Sequence, residues 1–276
     1  MSDRSQVALV TGASAGVGAA AVHRFAQLGW QVVATGRSAT KLDAVAESVR
    51  QRTGVTIERW PADFARLSDV RHLAERVATG HDRVDVLANN AGLLAARHRV
   101  TADNHELNWQ VNHLAPFLLT HLLRDLLGPG SRVVTTSSVA HRVGRIDLTD
   151  PDFHRRRWDP IRSYAAAKLA NILFTRELAA RSAGAGVVAT CFHPGVVRSD
   201  LGRAYPGFGL VRRLPGLFVT PEHAAGLLVA LATEDVGLGS GQYFVNGRPS
   251  TPTVRGPADL PGRLWEYSLA QVDQVS

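Results

Sequence analysis

Short apolar runs alternate along the chain with longer stretches whose apolar residues recur at helical spacing. Val7–Val10 reads as a buried strand and Ala19–Leu28 as the helix after it. Trp30–Thr35, Val55–Trp60 and Val84–Ala88 read as further strands, separated by helical patterns over Lys41–Arg52 and Ser68–Ala78. Such alternation predicts a parallel sheet covered on both faces. Thr101–Leu127 reads as one long helix, followed by a strand over Arg132–Thr136. A polar segment with the basic run His154–Arg157 predicts a surface flap before a helix over Arg162–Ser182. A strand at Val187–Phe192, a helix at Pro221–Thr233 with proline in its first turn, a strand at Gln242–Val245 and a tail helix at Leu260–Val272 complete the pattern. Between Ser199 and Thr220 the order breaks down: Leu201, Tyr205, Phe208, Leu210 and Leu214 mix with glycine, proline and arginine. That insertion predicts a lid over an apolar substrate; the alternatives are a loop packed on its own core or, given Arg203, Arg212 and Arg213, a membrane-surface segment. With no internal repeat and no linker, the chain reads as a single domain, 1–276, of the α/β class with a doubly wound parallel sheet.

Composition narrows the functional classes. The 276 residues are 45% hydrophobic and 20% charged, with a net charge of +7. Nearly all the basic charge is arginine, Lys41 and Lys168 being the lysines. The arginines are scattered, without a long basic block or interleaved aromatics, which argues for a solvated surface and against a nucleic-acid partner. No apolar run approaches the roughly 18 residues that span a bilayer, and Met1–Gln6 lacks the layout of a signal peptide, so a cytoplasmic location is expected. The lone cysteine, Cys191, supports neither a disulfide framework nor a cysteine metal site. The histidines form no helical His-x-x-x-His and no Cys/His cluster, so no metal is expected; His113, His141 and His193 read as packing or supporting residues. No Gly-x-Ser-x-Gly elbow points to a serine hydrolase.

The candidate chemistry lies at strand ends and on one helix. Thr11-Gly12-Ala13-Ser14-Ala15-Gly16-Val17-Gly18 joins the first strand to the first helix, and glycines there let the backbone approach a pyrophosphate at the helix N-terminus. The second strand ends in Gly36-Arg37-Ser38, with no acidic residue for a ribose 2′-hydroxyl. Arg37 favours the 2′-phosphate of NADP; the alternative is an exposed turn arginine. Asn89-Asn90-Ala91-Gly92 follows the strand at 84–88, where doubly wound sheets bind ligands. Tyr164 and Lys168, four residues apart, share a helix face. An ammonium beside a phenol lowers a pKa of about 10 and suits the pair to proton transfer in an alcohol–carbonyl interconversion.

In this order the motifs Thr11-Gly12-x-x-x-Gly16-x-Gly18, Asn89–Gly92, Asn112, Ser138, Tyr164-x-x-x-Lys168 and Pro194-Gly195 resemble the short-chain dehydrogenase/reductases from Val7 to about Val245. Val111–Thr120, Ser137–His141 and Lys168–Phe174 are similar to its retinol dehydrogenase-like branch, as is the long spacing between Ser138 and Tyr164. The resemblance implies a Rossmann-type fold and NADP(H). It implies Tyr164 as general acid/base, Lys168 lowering its pKa and binding the nicotinamide ribose, Ser138 bonding the substrate oxygen and Asn112 holding a water of the proton relay. The cofactor would be held by Gly12, Ser14, Ala15, Gly16, Val17, Gly18, Arg37, Asp63, Phe64, Asn89, Ala91, Gly92, Tyr164, Lys168, Pro194, Gly195, Val197 and Ser199. If the strand ends one residue early, Ser137 would replace Ser138. The implied activity is carbonyl–alcohol interconversion on a hydrophobic small molecule. Carbon–carbon double-bond reduction, non-redox cyclisation or epimerisation, and a cofactor-sensing protein without turnover are the alternatives. Relatives commonly form homo-oligomers through the helices carrying Asn112 and Lys168.

Overall fold

The computed structural model describes residues 5–197, 218–234 and 239–273. Its elements run β1 (Val7–Thr11), α1 (Gly16–Gln27), β2 (Gln31–Gly36), α2 (Ala39–Thr53), β3 (Glu58–Pro61), α3 (Leu67–Gly80), β4 (Val86–Asn89), α4 (Leu107–Trp109), a π-turn (Gln110–Leu114), α5 (Ala115–Leu122), β5 (Arg132–Thr136), α6 (Pro160–Arg181), β6 (Val188–His193), β7 (Val196–Val197), β8 (Phe218–Val219), α7 (Pro221–Thr233), β9 (Gln242–Val245), β10 (Arg248–Ser250) and α8 (Leu260–Asp273). The sheet order is β10-β9-β6-β5-β4-β1-β2-β3, parallel throughout except for the β9–β10 pair. The doubly wound reading is therefore realised, and the chain reverses direction across the sheet between β1 and β4. The crevice beyond the carboxyl ends of those two strands is where such sheets bind ligands.

The apolar runs become strands because both faces of the sheet are covered. β1 is buried at all five residues. One face packs against α3, α5, α6 and α8 through Leu9, Leu87, Leu118 and Leu173; the other packs against α1, α2 and α7 through Val10, Phe25, Leu42 and Leu228. Pro61 is tolerated because β3 is an edge strand. Helix ends follow local chemistry. Ser38 Oγ accepts the Lys41 N–H at the start of α2, and Gly54 closes that helix with φ +72. Asp159 caps α6 by accepting the Arg162 N–H, with Pro160 in the first turn. No helix among the described residues is long and apolar enough to cross a membrane.

Two expectations need correction. The helix anticipated over Thr101–Leu127 begins at Leu107 and is interrupted. Residues 100–106 form a turn instead, with a Val100–Glu106 bridge and Asn104 at φ +62. Pro116 has no N–H to offer the Asn112 carbonyl, and the ladder widens there, with the Ala115 N–H reaching back to Gln110 O. The flap after Ser138 carries a basic surface run but is fastened from below. Asp150, 6% exposed, accepts the backbone N–H groups of His154, Arg155 and Arg156 at 2.8, 3.3 and 3.2 Å. Asp152 accepts the Glu106 N–H at 2.7 Å and meets His105 Nδ1 at 3.2 Å. Most of the anticipated lid, 199–217, lies outside the described residues; its last three residues are β8 and Thr220, which caps α7.

Asp150→Ala removes the acceptor for three consecutive N–H groups, each hydrogen bond to a charged group contributing about 1.5–3 kcal/mol. The expected outcome is trypsin cleavage at Arg155–Arg157 accelerated about tenfold or more, with little change in the urea midpoint of the whole chain. Unchanged cleavage would show that the flap is held by something else.

Candidate active site

Four segments meet at the carboxyl edge of the sheet, and buried hydrogen bonds fix each. The β1 turn is locked to β4: Thr11 Oγ1 donates to Ala88 O at 3.1 Å and accepts from the N–H groups of Asn90 and Ala91, both at 2.9 Å. Asn90 Nδ2 returns a bond to Thr11 O at 3.0 Å. The glycines are needed for this fit. A Cβ on Gly12, already at φ +67, would stand 2.8 Å from Ala91 Cα, and one on Gly18 would stand 2.8 Å from Asn90 Nδ2. Gly16, at φ +57, faces open space. Helix α1 starts at Ala15 with no side-chain cap and no acidic residue in its first turn. Its free N–H groups and the glycine turn fit an anionic phosphate.

The adjacent asparagines point opposite ways, as strand-end residues do. Asn90 ties β1 to β4. Asn89, 3% exposed, turns toward α5 and donates to Thr120 Oγ1 at 2.9 Å. Asp63 organises the turn before α3, its Oδ1 accepting the Ala65 N–H at 3.1 Å, and Phe64 is buried in the core. Arg37 stands exposed after β2 with no hydrogen bond or ion pair to another described residue. Ser14 packs against Gly36, where a Cβ would lie 3.1 Å from its Oγ. Pro194, Gly195 and Val197 follow β6; Gly195 sits at φ +87 against Val219. Ser199 lies outside the described residues. Val17 is half-buried on α1.

The reacting end is built by α6 lying across the end of β5. Tyr164 is 8% and Lys168 3% exposed. Lys168 Nζ donates to Thr136 O at 3.1 Å, Asn171 Nδ2 to the same oxygen at 3.2 Å, and Ser137 Oγ to Lys168 O at 2.7 Å. Ser137 is thus committed to the α6 backbone, whereas the half-buried Ser138, whose Oγ accepts the Ala140 N–H at 3.2 Å, is the serine that acts on the Tyr164 phenol, favouring its ionised form. Asn112 sits in the π-turn with its amide fully engaged: Oδ1 accepts the Leu93 N–H at 3.0 Å, and Nδ2 donates to Leu93 O and Asn108 O at 2.9 and 2.8 Å. Gly92 leaves the space between; a Cβ there would lie 2.7 Å from Asn112 Oδ1 and 3.2 Å from Lys168 Nζ.

Burial overrides the expected effect of the ammonium on the phenol. It pushes Tyr164 up to about 12, the Ser138 hydrogen bond working the other way. Lys168 is lowered by burial to about 8, against the Cys191 thiol, which acts to raise it. Lys168 Nζ lies 5.6 Å from the centroid of the Tyr164 ring. In this arrangement Tyr164 is a protonated donor at neutral pH.

Three supporting residues escape a reading of motifs. Glu106, fully buried, accepts from the Trp109 N–H at 2.9 Å, Ser163 Oγ at 2.7 Å and Trp158 Nε1 at 3.0 Å. Asn108 Nδ2 donates to Ser163 Oγ at 2.9 Å. Ser163 adjoins Tyr164, so this cluster joins the flap, the π-turn and the head of α6. The Glu106 and Ser163 ends of the cluster are 57 residues apart in sequence, so no local motif marks it. Among the described residues no acidic, histidine and cysteine side chains cluster as metal ligands would.

The lowered Lys168 pKa carries a sign. Between pH 8 and 10.5 the unfolded chain holds the proton that the folded chain has lost, so this group makes stability rise with pH across that window. Lys168→Met removes the contribution. Urea denaturation should therefore show the stability difference shifting toward the wild type by about 3 kcal/mol across that range; a difference flat in pH contradicts the assignment.

Comparison with known proteins agrees with this geometry. Residues 6–206 match the family described as short chain dehydrogenase. The chain is 36% identical to retinol dehydrogenase 13 of Mus musculus, over 96% of this chain and 83% of that protein. It is 38% identical to a candidate daunorubicin C-13 ketoreductase, DnrU, of Streptomyces sp. (strain C5), over 97% and 93%. A blue fluorescent protein from a metagenomic library, solved in complex with NADPH, superposes with a TM-score of 0.70 at 30% identity, covering 87% of this chain and 95% of that one. The chain belongs to the short-chain dehydrogenase/reductase family, in its retinol dehydrogenase-like branch.

Proposed function

We propose that this protein is an NADP(H)-dependent oxidoreductase that interconverts a carbonyl and an alcohol on a hydrophobic small molecule. The observation that carries the reading is the buried Tyr164 and Lys168 on α6 at the end of β5, with Lys168 Nζ held by the Thr136 carbonyl and Ser138 following the same strand. A phenol donor with a serine hydroxyl in the same site suits a carbonyl oxygen that gains negative charge as it is reduced.

The turn from Gly12 to Gly18 and the uncapped start of α1 fit the cofactor pyrophosphate. Ser14, Ala15, Gly16 and Val17 belong to that cradle; Asp63, Phe64, Asn89, Ala91 and Gly92 are assigned to the adenosine side, and Pro194, Gly195 and Val197 to the nicotinamide side. Arg37, exposed and unpaired, is assigned to the 2′-phosphate. Support comes from the absence of an acid after β2 and from the NADPH complex of a relative at 30% identity. When bound, the nicotinamide supplies or accepts the hydride. The chain's own residues handle the proton. Tyr164 Oη gives it to the substrate oxygen in reduction and takes it in oxidation. Ser138 Oγ donates to the same oxygen and holds it in place. Lys168 supplies positive charge below the phenol, favouring phenolate as the proton leaves. Asn112 clamps the Leu93 backbone, keeping the space at Gly92 open beside Lys168.

The apolar substrate class rests on the rim. Val139, Val143 and Ile161 are 37%, 56% and 36% exposed around Ser138 and the head of α6. Relatives named for retinol and for an anthracycline ketone point the same way.

Two measurements test the reading. Tyr164→Phe is expected to bind NADPH as the wild type does and to lose about 10²–10⁴-fold in kcat; near-normal turnover would overturn the mechanism. Fluorescence titration is expected to show preference for NADPH over NADH, and Arg37→Leu to erase about a factor of ten or more of it, the size of one charge-assisted contact. Equal binding of both cofactors by the wild type would remove the assignment of Arg37.

A further inference from the structure

Beside the catalytic hydroxyls lies a second polar cluster that no step above uses. His141 is the link: its Nδ1 bonds Ser138 O at 2.7 Å, and its ring meets Tyr243 edge-on at 5.0 Å. The β6–β9 register sets Cys191 beside Tyr243 and His193 beside Val245. In parallel strands this places Cys191, His193 and Tyr243 on one face. It is the face against which Ile172 of α6 packs. Tyr243 and His193 are 3% and 7% exposed, yet Tyr243 Oη and His193 Nδ1 have no hydrogen-bond partner among the described residues. Two buried polar atoms left unmatched on one face call for an explanation by something that completes them.

Charge gives the second half of the argument. Arg142 follows His141 in the short helix after Ser138 and is exposed. It forms no ion pair with a described acidic residue. It adjoins His141, whose ring meets Tyr243, and its positive charge acts against protonation of His141 and His193 and favours ionisation of Tyr243. His193, lowered by burial to about 4, is neutral at working pH. Tyr243 is pushed up by burial and stays a protonated donor. The cluster therefore offers a phenol donor, a neutral imidazole and an unpaired guanidinium. The apolar side chains Val139 and Val143 flank Arg142 and are exposed with it.

We propose that Arg142, His193 and Tyr243 form a subsite for an anionic oxygen group, a carboxylate in the simplest case, carried by the apolar substrate away from its reacting carbon. The inference rests on the proposed function, because it locates the reacting carbon at Tyr164 and Ser138. Tyr243 Oη donates to one oxygen, Arg142 neutralises the charge, and His193 supplies the second donor through its Nδ1–H tautomer. The competing occupant is an ordered water bridging Tyr243 and His193.

A matched pair of aldehydes separates these. 4-Formylbenzoate and methyl 4-formylbenzoate share a reacting group and differ in charge. Binding to the full chain is followed by fluorescence and saturation-transfer NMR, without requiring turnover. The acid is expected to bind at least tenfold more tightly than the ester. Arg142→Leu and Tyr243→Phe should each reduce that preference to within about twofold. Tyr243→Phe deletes a hydroxyl that bonds no described residue, so this variant should fold and melt no lower than the wild type while losing the preference; a structural role for the hydroxyl would lower the melting temperature. Equal binding of acid and ester by the wild type, as a bridging water predicts, overturns the subsite. So does a preference that survives both substitutions. NADPH oxidation in parallel samples reports separately on the oxidoreductase reading. Tight, Arg142-dependent binding without oxidation would retain an anion site and reject the assigned chemistry.

Discussion

The site depends on a reciprocal clasp between α6 and the end of β5. The Thr136 carbonyl receives Lys168 Nζ and Asn171 Nδ2, and Ser137 Oγ donates back to the Lys168 carbonyl. These bonds set the rotation and height of a 22-residue helix against the central sheet. Tyr164 lies one turn earlier on the same helix, and Ser138 two residues beyond the strand, so the clasp holds both backbones at the same end of the sheet. Burial then makes the clasp costly to break, since each freed polar group would lack water as a substitute. The same burial determines the resting protonation, with a neutral phenol and an ammonium whose proton is weakly held.

A second constraint acts at the opposite side of the crevice. The segments after the paired strands β1 and β4 are tied together there by Thr11, Asn90 and Ala91. The close approach demands glycine at 12 and 18, while Gly16 is spared contact and left facing outward. Packing thus accounts for two glycines of the turn, and a left-handed φ of +57 accounts for the third. The distinction matters, because a glycine-rich turn by itself does not separate tight packing from ligand binding.

Most of the fold was legible because the strands are short apolar runs buried on both faces and the helices are bounded by local caps such as Ser38, Gly54 and Asp159. Tyr164, Lys168 and Ser138 were legible for the same reason: their spacing on a helix and at a strand end is a local property. Elements fixed by distant partners were not. The break at Pro116 hid inside an apolar stretch that reads as continuous helix. β10 is short and polar, and forms only because β9 offers an edge. Glu106 binds Ser163 and Trp158 across more than fifty residues of chain. The direction of the Tyr164 shift is not a local property: Lys168 four residues away argues for a lowered pKa, whereas desolvation, which depends on everything packed around the phenol, raises it.

The clasp, the flap and the polar cluster near His141 make one connected structure. Glu106 binds Ser163, the residue before Tyr164, and Trp158, at the end of the flap. Ser138 is held from the other side by His141, whose Nε2 accepts the Thr253 N–H at 3.3 Å. The Tyr164 and Ser138 backbones are therefore each positioned by a residue that also shapes the space beyond them. Gly144 requires this closeness, since a Cβ there would stand 2.5 Å from the Ala165 carbonyl oxygen. Variation in the flap or in the helix after Ser138 changes the pocket wall while leaving the clasp at Thr136 untouched. Under the proposed function, that separation lets one proton-transfer arrangement serve different substrates, because the groups assigned to the proton are anchored to the sheet and the groups assigned to the substrate's far end are not.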